Sequence, residues 1–318
     1  MNLMKTLMMV LALCLAFVSV ASADVPPQYL LQWGSYGSGP GQFNIPFGVA
    51  ASADGFIYAT DRENHRIQKF TQAGIFVMAW GSLGSDDGHF INADNIAVDR
   101  DGYVYVSDWG LNRVDKFTAS GQFLLRLGGE FSQPYGLSTD DQGDVYVADR
   151  LNHRVQKFTS DGTFLLTWGT FGTGTGQFTQ PLNVAVASDG TVYVVEELNN
   201  RVQYFTSEGV FLGTWGTLGV DPGQFREPYG IAASDGDVYI ADRGNHRIEK
   251  FTSTGTFLCE WGSIGSGDGQ FEFPAGLAVD SAGHIYVVDG HNYRIQVFGD
   301  APVPVISTTW GAIKALYR

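Results

Sequence analysis

Short runs of apolar and aromatic residues recur along the chain, separated by turns rich in glycine and aspartate. In the first complete unit the runs lie at 47–51, 57–60, 66–71 and 75–80. Four such runs with turn residues between them predict a four-stranded antiparallel meander. No window keeps an apolar period of 3.6 residues, so we expect almost no helix before residue 301.

The unit is repeated six times. Each copy has an acid five residues before an arginine and a phenylalanine four residues after it, as in Asp61-Arg-Glu-Asn-His-Arg66 followed by Phe70. The arginines recur at intervals of 41 to 47 residues, at Arg66, Arg113, Arg154, Arg201, Arg247 and Arg294. Self-similarity at this period indicates a repeat architecture in which each copy is one structural unit.

The two ends of the repeat array complement each other. The sixth unit, which begins at Pro274, has three runs and no fourth, whereas the segment 30–34 resembles a fourth run such as 258–262. The N-terminal strand therefore completes the last sheet and protects edges that an open array would expose. We predict an all-β fold over residues 24–300: a six-bladed β-propeller of four-stranded antiparallel blades, the last blade closed by the N-terminal strand.

The repeated motifs resemble a known family. Pro-x-Gly-Val-Ala, Val-Tyr-Val-Ala-Asp-Arg and Asn-His-Arg-Ile-Gln-Lys-Phe are similar to NHL repeats, and the similarity extends from Tyr29 to Phe298. The resemblance implies a six-bladed propeller. It implies no single function, because proteins with this repeat include binding platforms, sensor domains and a few enzymes.

Residues 1–23 and 301–318 flank the repeats. Lys5, an apolar run over 7–20 and Ala21-Ser-Ala23 predict a signal peptide, and hence a periplasmic, cell-surface or secreted location. No other stretch is long and apolar enough to span a membrane. The segment 301–318 is basic and amphipathic at its end; we interpret it as a possible sorting or attachment signal, with a frayed end or short docked helix as the alternative.

The net charge of the chain restricts the classes of partner that it can bind. From Asp24 onward, removing Lys5 leaves 18 Lys+Arg against 33 Asp+Glu, a formal charge of −15. Such an acidic chain repels nucleic acid, which we therefore exclude as a partner. Cys259 is the only cysteine after the predicted cleavage site, so no intrachain disulfide can form.

One mouth of the ring concentrates the candidate binding residues. In a meander the first strand begins on the side where the second ends, so Pro-x-Gly starts and Asp-Arg corners share this mouth. Alternate blades supply Phe47, Tyr135 and Tyr229 near the axis and Arg62, Arg150 and Arg243 outside them. An arginine collar around aromatic rings suits a flat or sugar-like ligand with acidic groups. Alternatively, the arginines are paired and the aromatic rings fill the channel.

Metal sites are weakly indicated. Asp94, Asn95 and Asn183 could offer calcium three oxygen donors from two blades, short of the six to eight that calcium takes. His65, His153 and His246 begin third strands, roughly 10 Å outside the innermost strands, too far apart to share one zinc ion. We interpret the repeated acid as a structural hydrogen-bond acceptor of each unit.

The sequence favours an exported, non-catalytic binding propeller that recognises a protein, peptide or glycan at the Pro-x-Gly/Asp-Arg mouth. We expect no cofactor, no membrane span and a monomer. The alternative is a metal-dependent hydrolase or lyase of lactonase type that uses the same mouth.

Overall fold

The computed structural model describes residues 24–234 and 236–300; the predicted signal peptide and the predicted sorting segment lie outside the described residues. The described chain forms six four-stranded antiparallel sheets, the blades of a propeller. The predicted fold is confirmed. In the first unit, strand ends differ from the predicted runs by one residue at most.

The strands are numbered in chain order, and each blade runs from the axis outward. Strand β1 (Gln28–Trp33) belongs to blade six. Blade one contains β2 (Pro46–Ala51), β3 (Phe56–Asp61), β4 (Arg66–Thr71) and β5 (Phe76–Trp80). Blade two contains β6 (Ala93–Val98), β7 (Val104–Asp108), β8 (Arg113–Phe117) and β9 (Phe123–Arg126). Blade three contains β10 (Pro134–Thr139), β11 (Val145–Asp149), β12 (Arg154–Phe158) and β13 (Phe164–Trp168).

The remaining blades follow the same plan. Blade four contains β14 (Asn183–Val186), β15 (Val192–Glu196), β16 (Arg201–Phe205) and β17 (Phe211–Trp215). Blade five contains β18 (Pro228–Ser234), β19 (Asp237–Asp242), β20 (Arg247–Thr252) and β21 (Phe257–Trp261). Blade six contains β22 (Pro274–Val279), β23 (Ile285–Asp289) and β24 (Arg294–Gly299), followed outward by β1. The helices of the described chain are single 3₁₀ turns at Arg62–Asn64, Arg150–Asn152, Arg243–Asn245 and Gly290–Asn292.

The sheets are packed on both faces. In β4 both Ile67 and Phe70 are fully buried although they lie three residues apart. A bulge between Lys69 and Phe70 shifts the pairing with β5 and accommodates this spacing. Burial on both sides follows from the ring, because each blade lies between two neighbours.

Aromatic residues join neighbouring blades. Trp80 at the end of β5 contacts Tyr58 of its own blade, with ring centroids 6.1 Å apart, and Phe117 of blade two at 6.2 Å. Trp33, Trp168, Trp215 and Trp261 make the equivalent contact with a phenylalanine of the next blade. Blade two ends in the buried Leu127 instead, so the interface between blades two and three lacks this ring.

The ring closes through β1. It pairs antiparallel with β24, from Gln28 opposite Gly299 to Trp33 opposite Ile295. Trp33 contacts Tyr286 of blade six and Phe70 of blade one at 6.2 and 5.7 Å. The predicted closure is confirmed, and Trp33 joins the two ends of the array.

Deleting residues 29–34 should strongly destabilise the ring, because it removes Leu30, Leu31 and Trp33 and exposes the edge of β24. Large apolar side chains contribute about 1.5–3 kcal/mol each when buried, so we expect the midpoint of thermal unfolding to fall by about 10 °C or more. Circular dichroism would measure this. Val25→Ser, at a side chain that is 85% exposed, should leave the midpoint unchanged. A deletion variant that melts within a few degrees of the full chain would contradict the closure.

Candidate functional site

The Pro-x-Gly starts and the Asp-Arg corners lie on one side of the ring. In blade one Pro46 is paired with Asp61, and the equivalent pairs are Pro134 with Asp149, Pro228 with Asp242 and Pro274 with Asp289. Arg62, Arg150 and Arg243 directly follow three of these acids. We call this side of the ring the arginine mouth; the predicted placement is confirmed.

Aromatic rings fill the channel at the arginine mouth. The ring centroid of Tyr229 lies 5.6 Å from that of Phe47 and 6.1 Å from that of Tyr135. Leu182 and Ala275, from the even-numbered blades, are almost fully buried beside them. Burial raises the pKa of Tyr135 to about 12 and raises that of Tyr229 as well. These five residues, the axial plug, block the channel at this mouth.

Each mouth arginine stacks on the aromatic ring of its own blade. The guanidinium carbon of Arg62 lies 4.2 Å from the ring centroid of Phe47. The corresponding distances are 5.4 Å for Arg150 over Tyr135 and 5.6 Å for Arg243 over Tyr229. These are cation–π distances. The predicted juxtaposition of aromatic rings and arginines therefore exists, as a plug covered by guanidinium groups.

The mouth arginines are only loosely paired with acids. Arg62 Nη1 lies 3.5 Å from Asp94, Arg150 Nη2 lies 3.7 Å from Glu197, and Arg243 Nη1 lies 3.5 Å from Glu227. Arg62 Nε also lies 3.2 Å from the exposed Glu63. Among described residues, the buried Nε atoms of Arg150 and Arg243 have no acceptor. The partly exposed guanidinium groups of the mouth arginines are thus only weakly engaged by acids. No sequence pattern singles out Glu197 and Glu227, whose proximity to the arginines depends on the fold.

Asp94 lies buried beside the plug. Burial raises the pKa of its carboxyl group to about 8, although Arg62 opposes the shift. Its Oδ2 atom is buried and accepts no hydrogen bond from any described residue. Burial therefore favours the protonated form of this carboxyl group more than in an exposed aspartate.

Asp94, Asn95 and Asn183 do not form one site. Asn95 and Asn183 line the cavity below the plug, which Asp94 does not. The Oδ1 atoms of both asparagines accept backbone N–H groups, from Ile96 and Val184. Because Arg62 lies beside the Asp94 carboxyl group and both amide oxygens are already engaged, these donors fit calcium poorly. The described residues contain no group of three or more His, Cys, Asp or Glu side chains placed to hold a metal ion.

The repeated acids are hydrogen-bond acceptors inside each unit, as predicted. Asp61 accepts the backbone N–H of Asn44 at 2.7 Å, the side-chain amide of Asn64 at 2.9 Å and the Nε–H of Arg66 at 2.7 Å. Arg66 also donates to carbonyl oxygens of the loop that enters the blade, those of Gly39 and Gln42. We call this set the acid–arginine clamp. Arg154, Arg201, Arg247 and Arg294 make the equivalent ion pairs with Asp149, Glu196, Asp242 and Asp289.

The histidines of alternate blades bind backbone groups of the next blade. The Nδ1 atom of His65 lies 2.8 Å from the carbonyl oxygen of Ile91. The Nδ1 atoms of His153 and His246 accept hydrogen bonds from the backbone N–H groups of Gln180 and Phe273. These rings bridge neighbouring blades.

A ring of exposed apolar side chains surrounds the arginine mouth. They lie on the connections that lead from the fourth strand of one blade to the first strand of the next. Each is 65–68% exposed and forms an isolated bridge with a buried phenylalanine seven residues later: Tyr36, Leu83, Phe171, Leu218 and Ile264. We call these five residues the apolar crown.

The crown was missed in the sequence, although a signal for it exists. A large apolar residue follows each strand-ending tryptophan by three positions, as in Trp80-Gly-Ser-Leu83. The short connection between blades two and three has Glu130 at this position, so the crown has one gap. The pattern lies inside the glycine-rich connections between blades, where one large apolar residue stands out from small and polar neighbours.

Comparisons with known proteins identify the repeat and the fold. Four segments match the NHL repeat family: 43–70, 131–158, 225–251 and 271–298. They fall in blades one, three, five and six, the blades whose corners form a 3₁₀ turn. No curated protein sequence is significantly similar to the chain.

Several solved structures share the fold. A streptogramin B lyase is 18% identical, with a TM-score of 0.60, and the match covers 85% of this chain and 97% of that one. A Xanthomonas campestris gluconolactonase is 15% identical, with a TM-score of 0.63, and the match covers 87% of this chain and 96% of that one. A Bacteroides thetaiotaomicron protein of unknown function is 18% identical, with a TM-score of 0.68, and the match covers 85% of this chain and 76% of that one. Identities this low support a shared fold and leave the activity open.

Among residues 24–234 and 236–300, no helix is long and apolar enough to cross a bilayer.

Breaking one acid–arginine clamp should lower the free energy of unfolding substantially. Asp61→Ala leaves Arg66 without its buried carboxylate, and removing one partner of a buried ion pair typically costs about 3–5 kcal/mol. Denaturant unfolding would measure the loss. The exposed Asp141→Ala should change the free energy of unfolding little. A loss below about 1 kcal/mol for Asp61→Ala, the range of exposed pairs, would contradict the clamp.

Asp94 should make the protein less stable as the pH rises. Its pKa is about 8 in the folded chain and about 3.9 when unfolded, so its favourable contribution is present below pH 4 and is lost between about pH 4 and 8. Asp94→Asn removes this contribution. Urea unfolding at pH 5 and pH 8 should therefore show a smaller loss of stability in the variant than in the wild type. Asp141→Asn serves as the control, and equal losses in wild type and Asp94→Asn would contradict the assignment.

Proposed function

Because the chain is a six-bladed β-propeller built from NHL repeats, we propose that it is a binding propeller that docks a protein partner on its arginine mouth. The observation that carries the proposal is the apolar crown around the mouth arginines. Single exposed apolar residues are ordinary on protein surfaces. Five at equivalent positions on the face that carries the mouth arginines supply the apolar and charged groups of which protein interfaces are built.

The crown is held rigidly. In the connection before blade one, Tyr36 is fixed by its bridge to Phe43, and Gly37 donates its N–H to the Phe43 carbonyl oxygen. The same connection receives two hydrogen bonds from Arg66. A surface ordered before binding loses little conformational entropy in the complex, which favours affinity.

The chemistry of the face defines the partner. Arginine and aromatic groups are enriched at the energetic centres of protein interfaces. Here the mouth arginines are 18–23% exposed at their side chains and only loosely paired. A complementary partner would place carboxylate groups over Arg150 and Arg243 and apolar side chains against the crown. We therefore propose an acidic protein segment flanked by large apolar residues.

We also propose that the protein meets its partner outside the cytoplasm. Its support is the sequence of residues 1–23, with a basic residue, an apolar stretch and small residues before Asp24. Amino-terminal sequencing of the exported protein should begin at Asp24. A chain that retains Met1 and stays in the cytoplasm would contradict this part.

Peptides selected for binding should depend on this face. A phage-displayed random peptide library would be enriched on the full mature chain, and the enriched peptides synthesised and titrated by calorimetry. We expect acidic peptides with large apolar residues, bound about tenfold more weakly by Leu218→Ser and by Arg150→Ala, a loss of about 1.4 kcal/mol each.

Val210→Ser provides the matched control. Val210 is 60% exposed and lies in a turn on the opposite side of the ring. Val210→Ser should leave the affinity for the selected peptides unchanged, whereas Phe171→Ser should lower that affinity. Binding that survives the crown and arginine substitutions, or enriched peptides without acidic residues, would contradict the proposal. Circular dichroism would check that every variant is folded.

A further inference from the structure

The second residue after the repeated arginine is a buried polar side chain in every blade. It is glutamine in four blades and an acid in blades two and five: Gln68, Asp115, Gln156, Gln203, Glu249 and Gln296. In the four glutamine blades its Nε2 group donates a hydrogen bond to the clamp carboxylate, over 2.8 to 3.1 Å. In blades one, four and six the same Nε2 group also donates to a carbonyl oxygen of the incoming connection, and Oε1 accepts a glycine N–H of that connection. The glutamine therefore ties the clamp to the connection.

In blade five Glu249 has an acceptor where the other blades have a donor. Its Oε1 atom accepts the N–H of Gly223 at 3.3 Å, as the glutamine oxygens do from the equivalent glycines. Oε2 therefore takes the position of the amide nitrogen. The groups that this nitrogen binds in the other blades are a clamp carboxylate and a carbonyl oxygen, here Asp242 and Gln224, which can only accept. Oε2 of Glu249 is buried and has no hydrogen-bond partner among the described residues, so this position requires a hydrogen that an ionised carboxylate lacks.

One guanidinium group faces three carboxyl groups at this corner. Arg247 is the shared partner, at 2.7 to 2.9 Å, of Asp242, Glu249 and Glu260. The side chains of Asp242 and Glu249 are fully buried, whereas that of Glu260 is 39% exposed. If both buried carboxyl groups were ionised, one buried negative charge would have no cation of its own, which is costly. A proton on one of them removes that charge.

Hydrogen bonds assign this proton to Glu249 rather than to Asp242. Asp242 already accepts three hydrogen bonds, from the backbone N–H of Arg226 at 2.7 Å, the side-chain amide of Asn245 at 2.7 Å and the Nε–H of Arg247 at 2.9 Å. These donors stabilise its ionised form. A protonated Glu249 reproduces the glutamine pattern, because Oε1 accepts a hydrogen bond and the Oε2–H group donates one.

Blade two shows an arrangement that balances an acid at the same position. Asp115 contacts two guanidinium groups, those of Arg113 at 2.9 Å and Arg126 at 2.8 Å. Arg126 lies opposite Asp115 on the fourth strand. The residue opposite Glu249 is Glu260, so blade five has a like charge where blade two has its second arginine. Among the described residues, no second cation forms an ion pair with the acid of blade five.

We propose that Glu249 carries a proton that it donates to Asp242, and that this proton is a pH-sensitive latch on the connection 216–227. When the proton is lost to solvent, Oε2 repels the clamp carboxylate, the side chain turns away and the N–H of Gly223 is released. Burial raises the pKa of Glu249 to about 8, although the neighbouring guanidinium group opposes the shift. The latch is therefore closed in acid and opens as the pH rises through this range. The connection carries Leu218, so the latch controls how firmly one residue of the apolar crown is held.

Amide hydrogen exchange, measured by NMR on the full mature chain, tests the latch where it acts. As the pH rises from about 6.5 to about 9, the protection factor of the Gly223 N–H should fall at least about tenfold. The N–H of Gly176, which donates to Gln203 over 2.9 Å, is the control within the same molecule and should keep its protection factor. Equal changes at the two glycines would overturn the proposal.

Glu249→Gln supplies the hydrogen at every pH, as the glutamines of the other blades do. The Gly223 N–H of this variant should keep its protection factor over the same pH range. The pKa of Glu249 in the folded chain lies above its unfolded value of about 4.3, so its contribution to stability is lost as the pH rises from about 4 to 8. Urea unfolding should therefore show that the wild type loses more stability over this range than the variant.

Glu130→Gln makes the same chemical change at an exposed side chain and is the matched control. It should keep the pH dependence of the wild type. A Glu249→Gln variant that retains that pH dependence, or that is less stable than the wild type at about pH 9, would also overturn the proposal. The comparison of Gly223 with Gly176 in the wild type does not depend on the variant.

Discussion

The acid–arginine clamp is the interaction on which the rest of the ring depends. In five blades a fully buried carboxylate at the end of the second strand holds an arginine at the start of the third, at 2.5 to 2.9 Å. Such an arginine cannot be buried without an acceptor, and its remaining donors point at carbonyl oxygens of the incoming connection. This one interaction thus sets the conformation of the corner between the second and third strands. It also holds the incoming connection in place, and with it the blade against its neighbour. The crown residues are exposed in a defined geometry because these connections are held.

Blade two shows what happens when the clamp changes. Arg113 forms its ion pair with Asp115, 2.9 Å away, while Asp108 accepts backbone N–H groups. The arginine still donates to the incoming connection, so the blade keeps its place. The next connection is the short one with Leu127 and Glu130, where the tryptophan and the crown residue are missing. These departures mark one side of the ring and break the near-symmetry of the six blades.

The axial plug divides the molecule into two chemically different sides. Phe47, Tyr135 and Tyr229 fill the channel at one mouth, and the mouth arginines stack on their rings. The first side offers guanidinium groups and apolar residues, which suit a broad contact with a protein. The second has an opening lined by the turns that carry Asp99, Asp140 and Asp280.

The sequence by itself determined the blade plan, the closure by β1, the shared placement of the Pro-x-Gly starts with the Asp-Arg corners, and the structural role of Asp61 and its equivalents. These follow from local periodicity and from the alternating direction of a meander, which neighbouring residues along the chain define. Only the tertiary structure decided that Arg150 is loosely paired with Glu197, that Arg62 lies beside Asp94, and that Leu218 is exposed. Each of these depends on distances between residues of different blades or on the course of a connection across the ring. Such distances are set by how six sheets pack around one axis, which no single repeat encodes.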